Sequence, residues 1–376
     1  MPSDNLLMIA ASARDANMLY AAGMFADDAL IYLRLRGRCH LLVSDAELGR
    51  ARKQAGHCRI LSATRIAERL RKEGRKRVTM AHIAAAVLLD RGLRKVAVPE
   101  DFSLGFARQL RDAGVKVKPV KGEFFPQREL KSADEVKKVS AALVMAEVGL
   151  SEGMQVLKNA KVGRNKRLLW RGLPLTSDRL RAVIDAAVVQ AGGVSSRTIV
   201  AGGKQGCDPN HLGHGALRAN QPILLDICPR SQKTGFHADI TRTVVKGRAS
   251  DGVRKMYRAV EAAQELGLNL VRHGVEGRAV HRAILGSLKK AGFETARRDG
   301  HMEGFVHTAG HGVGLDLHEA PHLNANSRDL LRAGQVLTVE PGLYYPDIGG
   351  VRLEDVALVT RNGAKNLTKS EKVLEL

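Results

Sequence analysis

The chain has 376 residues, 44% hydrophobic and 26% charged, with 60 Lys/Arg against 39 Asp/Glu and a formal net charge of +21. That composition excludes a disordered chain, and the length fits two domains rather than one core. No uncharged apolar run reaches eighteen residues, and MPSDNLLMIAASARDANMLY has no basic stretch before a long apolar one, so neither a spanning helix nor a secretory leader is expected.

The first 120 residues read as small α/β units. LLMIAA, ALIYL, CHLLVS and KVAVP have strand character, with charged helical stretches such as ARKQ and RIAERLRKEG between them. FSLGFARQLRDAGVKVKPV reads as a helix closed by Gly114 and then a strand. KGEFFPQREL, 121–130, breaks the periodicity and contains Pro126, as a linker would. We therefore expect an α/β domain over 1–122 and a larger α+β domain over 123–376. The larger part opens with Ser132 and Glu135 in capping-box spacing. Helices follow at LTSDRLRAVIDAAVVQAGG (Ser177 as cap), DGVRKMYRAVEAAQELGLNLV and VEGRAVHRAILGSLKKAGF. TIVAG, PILLDIC, ADITRTVV, QVLTVEPG and GVRLEDVALVT are the strands of this part. His273 and His281 fall on helical surface positions, and His237 on a strand surface.

The four cysteines, Cys39, Cys58, Cys207 and Cys228, have no close spacing. They predict neither a zinc knot nor a disulfide framework, and a reducing cytoplasm is the expected compartment. Two basic runs, 69–77 and 158–171, raise nucleic acid as a partner, the second carrying the only tryptophan, Trp170. No nucleic-acid-binding motif accompanies either, so a generally basic solvated surface is favoured.

The chemistry lies in the acids. Asp226 ends an apolar strand, and a turn-rich stretch leads to a second strand holding Asp239, with Thr241 and Thr243 on the same face. A hairpin would bring the two aspartates together. Glu340 ends another apolar strand, and Glu354 sits between Leu353 and Val356 with Arg352 on its face as an ion-pair partner. A carboxylate in such a strand is costly unless paired or bound to metal. Four together cannot all ionise without positive charge, which two divalent cations would supply. HTAGHGVGLDLHE, 307–319, adds three histidines among glycines, and His311 offers a nitrogen ligand. The mixed oxygen and nitrogen set suits Mn²⁺, Co²⁺, Fe²⁺ or Zn²⁺.

These motifs, in this order, resemble the pita-bread metallopeptidase family, which includes the proline-specific aminopeptidases and dipeptidases with their creatinase and methionine aminopeptidase relatives. The resemblance runs through Asp226, Gly235 to Arg242, His307 to Glu319, Glu340-Pro341-Gly342 and Arg352 to Asp355, about 130 residues. ARDANMLYAAG, 13–23, resembles more weakly the amino-terminal domain of the prolidase and creatinase branch. The resemblance implies an α+β fold with a carboxy-terminal pita-bread domain and a smaller creatinase-like domain before it. It implies a centre of two divalent ions, Mn²⁺ first, with Asp226, Asp239, His311, Glu340 and Glu354 as ligands. His307 and His318 would line the substrate side, together with His211, for which His214 is the alternative and Asn210 a rival for the place. Arg352 and His322 complete the substrate residues.

By the same resemblance, a bridging hydroxide would attack the bond between a first residue and a proline, with Glu340 passing the proton to the departing nitrogen and His318 holding the oxyanion. A homodimer and a peptide with proline second are the implied partners. Three departures stand out. The turn between Asp226 and Asp239 is two residues longer than in many members, and its extra length, including Cys228, Pro229 and Arg230, is expected away from the metals. His322 stands where some dipeptidases place an arginine. The +21 charge is unusual for the family. The complete ligand set argues against creatinase, and the long amino-terminal part against methionine aminopeptidase. Dipeptidase and aminopeptidase both stay open, as do hydrolysis of another small amide and a non-catalytic basic binding protein on the same fold.

Overall fold

In the first strand, β1 (Asn5–Ala10), Leu6 and Met8 enter one hydrophobic cluster while Leu7 enters another. Successive residues of a strand point to opposite faces, so a strand apolar on both must be covered on both. The computed structural model describes residues 5–195, 197–298 and 300–376. It divides into two compact units, Met1–Arg128 and Glu129–Leu376.

The first unit runs β1, α1 (Ala16–Ala22), β2 (Leu30–Leu35), β3 (Arg38–Val43), α2 (Leu48–Gln54), β4 (Arg59–Ser62), α3 (Ala63–Lys72), α4 (Met80–Leu89), β5 (Lys95–Val98), α5 (Leu104–Asp112) and β6 (Lys116–Pro119). Its mixed six-stranded sheet has the order β4-β3-β2-β1-β5-β6. Residues of α1 and α2 (Met18, Ala22, Ala51) pack on one face with Phe124 and Phe125. Residues of α3, α4 and α5 (Ala67, Ala84, Leu88, Leu110) cover the other. The segment expected as a linker is thus partly core, because its two phenylalanines are buried. α4 escaped the sequence reading because its run MAHIAAAVLL is apolar nearly all round and lacks the stripe that marks a surface helix.

In the second unit, α6 (Ala133–Asn159) starts as expected. Ser132 Oγ accepts from Glu135 N, and a Glu135 carboxylate oxygen accepts from Ser132 N at 2.8 Å. α7 (Ser177–Gln190) is capped by Thr176, one residue before the expected Ser177, which is buried in the first turn. α8 (Asp251–Leu270) and α9 (Gly277–Lys290) form the second helix pair. His281 lies in the buried stripe of α9 with Val280, Ile284 and Leu288, not on its surface, and His273 lies in the turn beyond α8.

Two antiparallel sheets of this unit position the site. One has the order Ile199–Gly202, Pro222–Ile227, Ile240–Val245, and the other Glu319–Leu323, Gly310–Gly312, Val336–Val339, Asp355–Val359, Ala364–Asn366. A bridge between Thr241 and Glu354 joins them, with Glu354 N donating to Thr241 O at 3.1 Å. A hairpin of Gly342–Tyr345 and Gly349–Arg352 lies alongside. The expected strand GVRLEDVALVT is therefore two strands, broken at Leu353–Glu354. The glycines of the histidine motif answer to close backbone approach. A Cβ on Gly310 would stand 2.0 Å from Thr338 O, and one on Gly312 2.1 Å from Ala320 O.

Candidate metal centre

Register explains how the acids meet. Asp226 pairs with Thr241 across the first sheet, and Asp239 sits one residue before the strand Ile240–Val245. The bridge from Thr241 to Glu354 carries the second sheet's glutamate to the same place. Glu340 follows the strand Val336–Val339, and His311 lies at the centre of the neighbouring Gly310–Gly312. All five line one cavity of about 620 Å³, together with His307, His318, His322, Cys228, Arg197, Asn210 and Arg352.

Within it, Asp239, His311 and Glu354 each offer a ligand atom, all within 4.8 Å of one another, and so do Asp226, Cys228 and Asp239. His311 Nε2 lies 3.3 Å from Glu340 Oε1 and 3.9 Å from Asp239 Oδ2. His311 Nδ1 is 3.1 Å from Gly312 O. A carbonyl only accepts, so Nδ1 carries the proton and Nε2 faces the acids as a bare lone pair.

Burial raises the Asp239 carboxyl well above the aspartate range, with Glu354, Asp226 and Glu340 adding repulsion. Glu354 is raised for the same reason, burial first and then Glu340 and Asp226. Burial pushes Glu340 up to about 7. Against four carboxylates stands one buried guanidinium, Arg352. Burial works against its charge, and Tyr344, Asp226, Glu340 and Glu354 more than offset that. Among the described residues, Asp239 Oδ1 and Glu354 Oε1 are buried without a hydrogen-bond partner. Such atoms are rare in folded proteins, and their cost marks a place for an electrophile.

Arg352 differs from its expected part. It pairs with Asp226 rather than Glu354. It reaches Glu354 only through Thr241, whose Oγ1 accepts from Arg352 Nε at 3.2 Å and donates to Glu354 Oε2 at 2.7 Å. Its Nη1 also donates to Tyr344 OH at 2.9 Å, and Tyr344 OH donates to His307 Nε2 at 2.7 Å. His307 Nδ1 donates to Thr308 O at 2.7 Å, so both ring nitrogens are engaged. Burial, with Arg352 second, holds His307 down to about 3, and burial holds His311 down to about 4. His318, by contrast, has an open imidazole. It is exposed to the cavity, and its ring meets that of His311 edge-on at 4.3 Å between centroids.

Asn210 and Pro209 line the cavity near the place assigned to His211. His211 Nδ1 accepts from Gly213 N at 2.9 Å, and its ring lies 5.5 Å from that of His214, which lines a separate depression with Gln205. His237 is half-buried, its backbone N–H donating to Gly314 O at 2.7 Å, rather than on a strand surface. The longer turn is only partly remote from the acids. Pro229–Ser231 pairs with Gly193–Ser195, but Cys228 sits in the cavity beside both aspartates.

Residues 137–361, well over half of the chain, match metallopeptidase family M24. The chain belongs to that family. An Xaa-Pro dipeptidase of Pyrococcus horikoshii is 27% identical over 286 residues, 75% of each chain. Among solved structures, an Xaa-Pro dipeptidase from Bacillus anthracis superposes with a TM-score of 0.82 at 25% identity, over 99% of this chain and 95% of that one. An X-Pro aminopeptidase from Thermotoga maritima also gives 0.82, at 21% identity, over 99% and 97%. The α+β pita-bread architecture expected from the motifs is the fold of this M24 chain.

M24 membership implies divalent metal, and this cavity fits it. The donor set is oxygen-rich with one imidazole, two oxygens lack partners, and the negative charge exceeds what Arg352 offsets. The sequence reading of this M24 site put Thr241 on the face of Asp239 without giving it a part, and gave none to Thr338 or Tyr344. Thr338 Oγ1 accepts from His311 N at 3.0 Å and lies 3.3 Å from Glu340 Oε1, tying two donors together. Each threonine stands two residues along a strand from an acid, Asp239 or Glu340, so period-two alternation was the available signal.

Proposed function

We propose that this M24 peptidase hydrolyses the bond between a first residue and a following proline, using two divalent cations, Mn²⁺ first and Co²⁺, Zn²⁺ or Fe²⁺ otherwise. Asp226, Asp239, His311, Glu340 and Glu354 hold the cations. Bound there, they supply the charge the carboxylates lack, a water of lowered pKa and polarisation of the scissile carbonyl. Thr241 and Thr338 hold Glu354 and Glu340 in orientation through the hydrogen bonds above. Arg352 steadies Asp226 and, through Tyr344, fixes His307, whose part is then positional.

His318, exposed to the cavity, donates to the carbonyl oxygen as it becomes an oxyanion. Glu340 takes the proton released on attack and hands it to the departing nitrogen. That handover matters more for proline, whose amide nitrogen carries no hydrogen. Arg197 at the cavity offers positive charge, and His322 a ring N–H, to a substrate carboxylate, which favours short peptides. His211 stays a weaker candidate for substrate contact than Asn210.

The observation that carries this reading is the pair of orphaned buried oxygens on Asp239 and Glu354 among three further donors. The family match and the two Xaa-Pro dipeptidase relatives support the substrate class. The test is an assay of metal-reconstituted protein on Xaa-Pro dipeptides, Xaa-Pro-Xaa tripeptides and methionyl peptides side by side. Metal-dependent release of the first residue only where proline follows is the expected result. Cleavage of none of them sinks the proposal.

We also read the chain as a cytoplasmic homodimer with a creatinase-like domain over 1–122. Light scattering of the purified protein tests the dimer. No helix among the described residues is long and apolar enough to cross a membrane. The basic run 158–171 is not favoured as a nucleic-acid site, since Arg171 and Arg179 already lie over the Trp170 ring at 4.4 and 5.6 Å.

A further inference from the structure

The spacing of the cysteines predicted no metal or disulfide framework, yet the fold brings two of them together far in sequence from the M24 motifs. Cys39 is the second residue of β3 and Cys58 immediately precedes β4, and these strands pair in parallel with His40 opposite Arg59. Cys39 and Cys58 are therefore cross-strand neighbours one step beyond that pair. His57 adds an imidazole. All three offer a ligand atom within 4.8 Å of one another.

We propose that Cys39, His57 and Cys58 form a second metal site, for a soft d¹⁰ cation of which zinc is the first candidate. Two thiols and an imidazole are the donor set such a cation selects over Mn²⁺ or Mg²⁺. Donor atoms around a tetrahedral zinc stand about 3.5–3.8 Å apart, so the three need only close in slightly.

The surroundings are those of a metal-binding imidazole. His57 Nε2 lies 2.8 Å from Ala21 O on α1. The carbonyl can only accept, so Nε2 keeps its proton and Nδ1 is left with the lone pair a metal needs. The thiols are engaged with each other and with carbonyls: Cys58 hydrogen-bonds to Cys39, Cys39 Sγ donates to His57 O at 2.9 Å, and Cys58 Sγ stands 3.9 Å from Ala21 O. Cys58 is 6% exposed, Cys39 half-buried and His57 exposed. The site is thus walled on the protein side and open on the other, where water completes four-coordination. On binding, the two thiols release their protons to solvent, and the two thiolates cancel the charge of the cation. A neutral site results, which suits a buried thiol.

The test uses the full-length, reduced, metal-stripped protein carrying Cys228→Ser, which removes the thiol beside the carboxylates. Co²⁺ is expected to give a thiolate-to-cobalt charge-transfer absorption that Zn²⁺ bleaches and that Cys39→Ser and Cys58→Ser each abolish. Zn²⁺ is also expected to slow iodoacetamide labelling of Cys39 by about tenfold or more, read peptide by peptide, with Cys207 unaffected. Cys39→Ser and Cys58→Ser in the otherwise natural chain should retain peptidase activity, which shows that the variants fold. The proposal is overturned if no charge-transfer band appears, if the band survives Cys39→Ser, or if zinc leaves Cys39 labelling unchanged. A Cys39–Cys58 disulfide formed in air, with no zinc uptake after its reduction, overturns it too. None of these readouts depends on Xaa-Pro cleavage, so this site and the catalytic reading fail separately.

Discussion

Two arginines lie buried beside acids within a few residues of each other in this fold, and they serve opposite ends. Arg242 pairs with Asp355 at 2.8 Å, and both side chains are almost wholly buried. Every polar need there is met. Arg242 donates to the carbonyls of Thr241, Glu354, Ser370 and Glu371, and Asp355 also takes Lys372 at 3.1 Å and Asn366 at 2.9 Å. Arg352 pairs with Asp226 at the wall of the cavity, where Asp226 is only partly buried, and around it, among the described residues, Asp239 Oδ1 and Glu354 Oε1 have no partner. Residue types are alike. What differs is leftover valence: one cluster is closed and holds sheets together, whereas the other is left open for cations.

The comparison breaks most directly at Asp239. Asp239→Asn keeps the shape but removes a charge and a ligand. Metal content, read by elemental analysis, should fall, and kcat/KM on an Xaa-Pro substrate should drop by about three orders of magnitude or more. An Asp239→Asn protein with full metal content and near-normal rate would show that the open cluster is not the metal centre.

The closed cluster should instead show itself in stability. Arg242→Met leaves Asp355 buried beside Lys372 and Asn366 without its main partner, and should cost about 3–5 kcal/mol in urea unfolding. Arg242→Met with Asp355→Leu should recover much of that loss, because replacing a whole buried pair by apolar groups is often neutral. If the double variant is no better than the single one, the carbonyl contacts of Arg242 hold the sheets, not the ion pair.

Thr241 belongs to both neighbourhoods, since its hydroxyl serves Glu354 and its carbonyl accepts from Arg242. Thr241→Val keeps volume and the carbonyl while removing the hydroxyl. The expected loss is about 10–100-fold in metal affinity, with urea stability changed far less. Equal losses in both measurements would mean that the two clusters are not separable.

How much of this could be read beforehand follows from the range over which local pattern acts. Asp226, Asp239, Glu340 and Glu354 were visible because each interrupts or ends an apolar strand, and the capping box at Ser132 because it spans only three residues. Arg352 was assigned to Glu354 on the period of two. That period failed because the chain leaves one strand at Arg352 and enters the next at Asp355. His281 was misplaced although Val280, Ile284 and Leu288 draw its stripe, since Arg278 and Arg282 beside it read as a charged face. Cys39 and Cys58 could not be paired at all. Their meeting depends on a parallel register set across α2, and no local pattern encodes a crossover.

The smallest effect is a pH dependence, and it isolates the open cluster from everything else. Asp239 has a folded-state pKa raised by burial and by its acid neighbours. In the metal-free protein the folded state therefore holds that proton to higher pH than the unfolded chain does. Stability owed to it is fully present below the ordinary aspartate range near pH ~4 and is lost as pH rises through the folded value. The imidazoles of His307 and His311, with lowered pKa values, act in the opposite sense, so the whole-protein profile mixes the two. The difference between natural chain and Asp239→Asn removes the mixture, because both share the histidines and what remains is the acid cluster around Asp239. Without metal, Asp239→Asn should match the natural chain near pH ~4 and become the more stable of the two as pH rises, by about 1–3 kcal/mol, the cost of an unsatisfied buried group. With metal present, the order should reverse at neutral pH, since the cation uses the oxygen the variant lacks. Asp355→Asn, in the closed cluster, should be less stable than the natural chain with or without metal. Should Asp239→Asn behave the same way, the two clusters would be alike after all, and the orphaned oxygen would owe nothing to a cation.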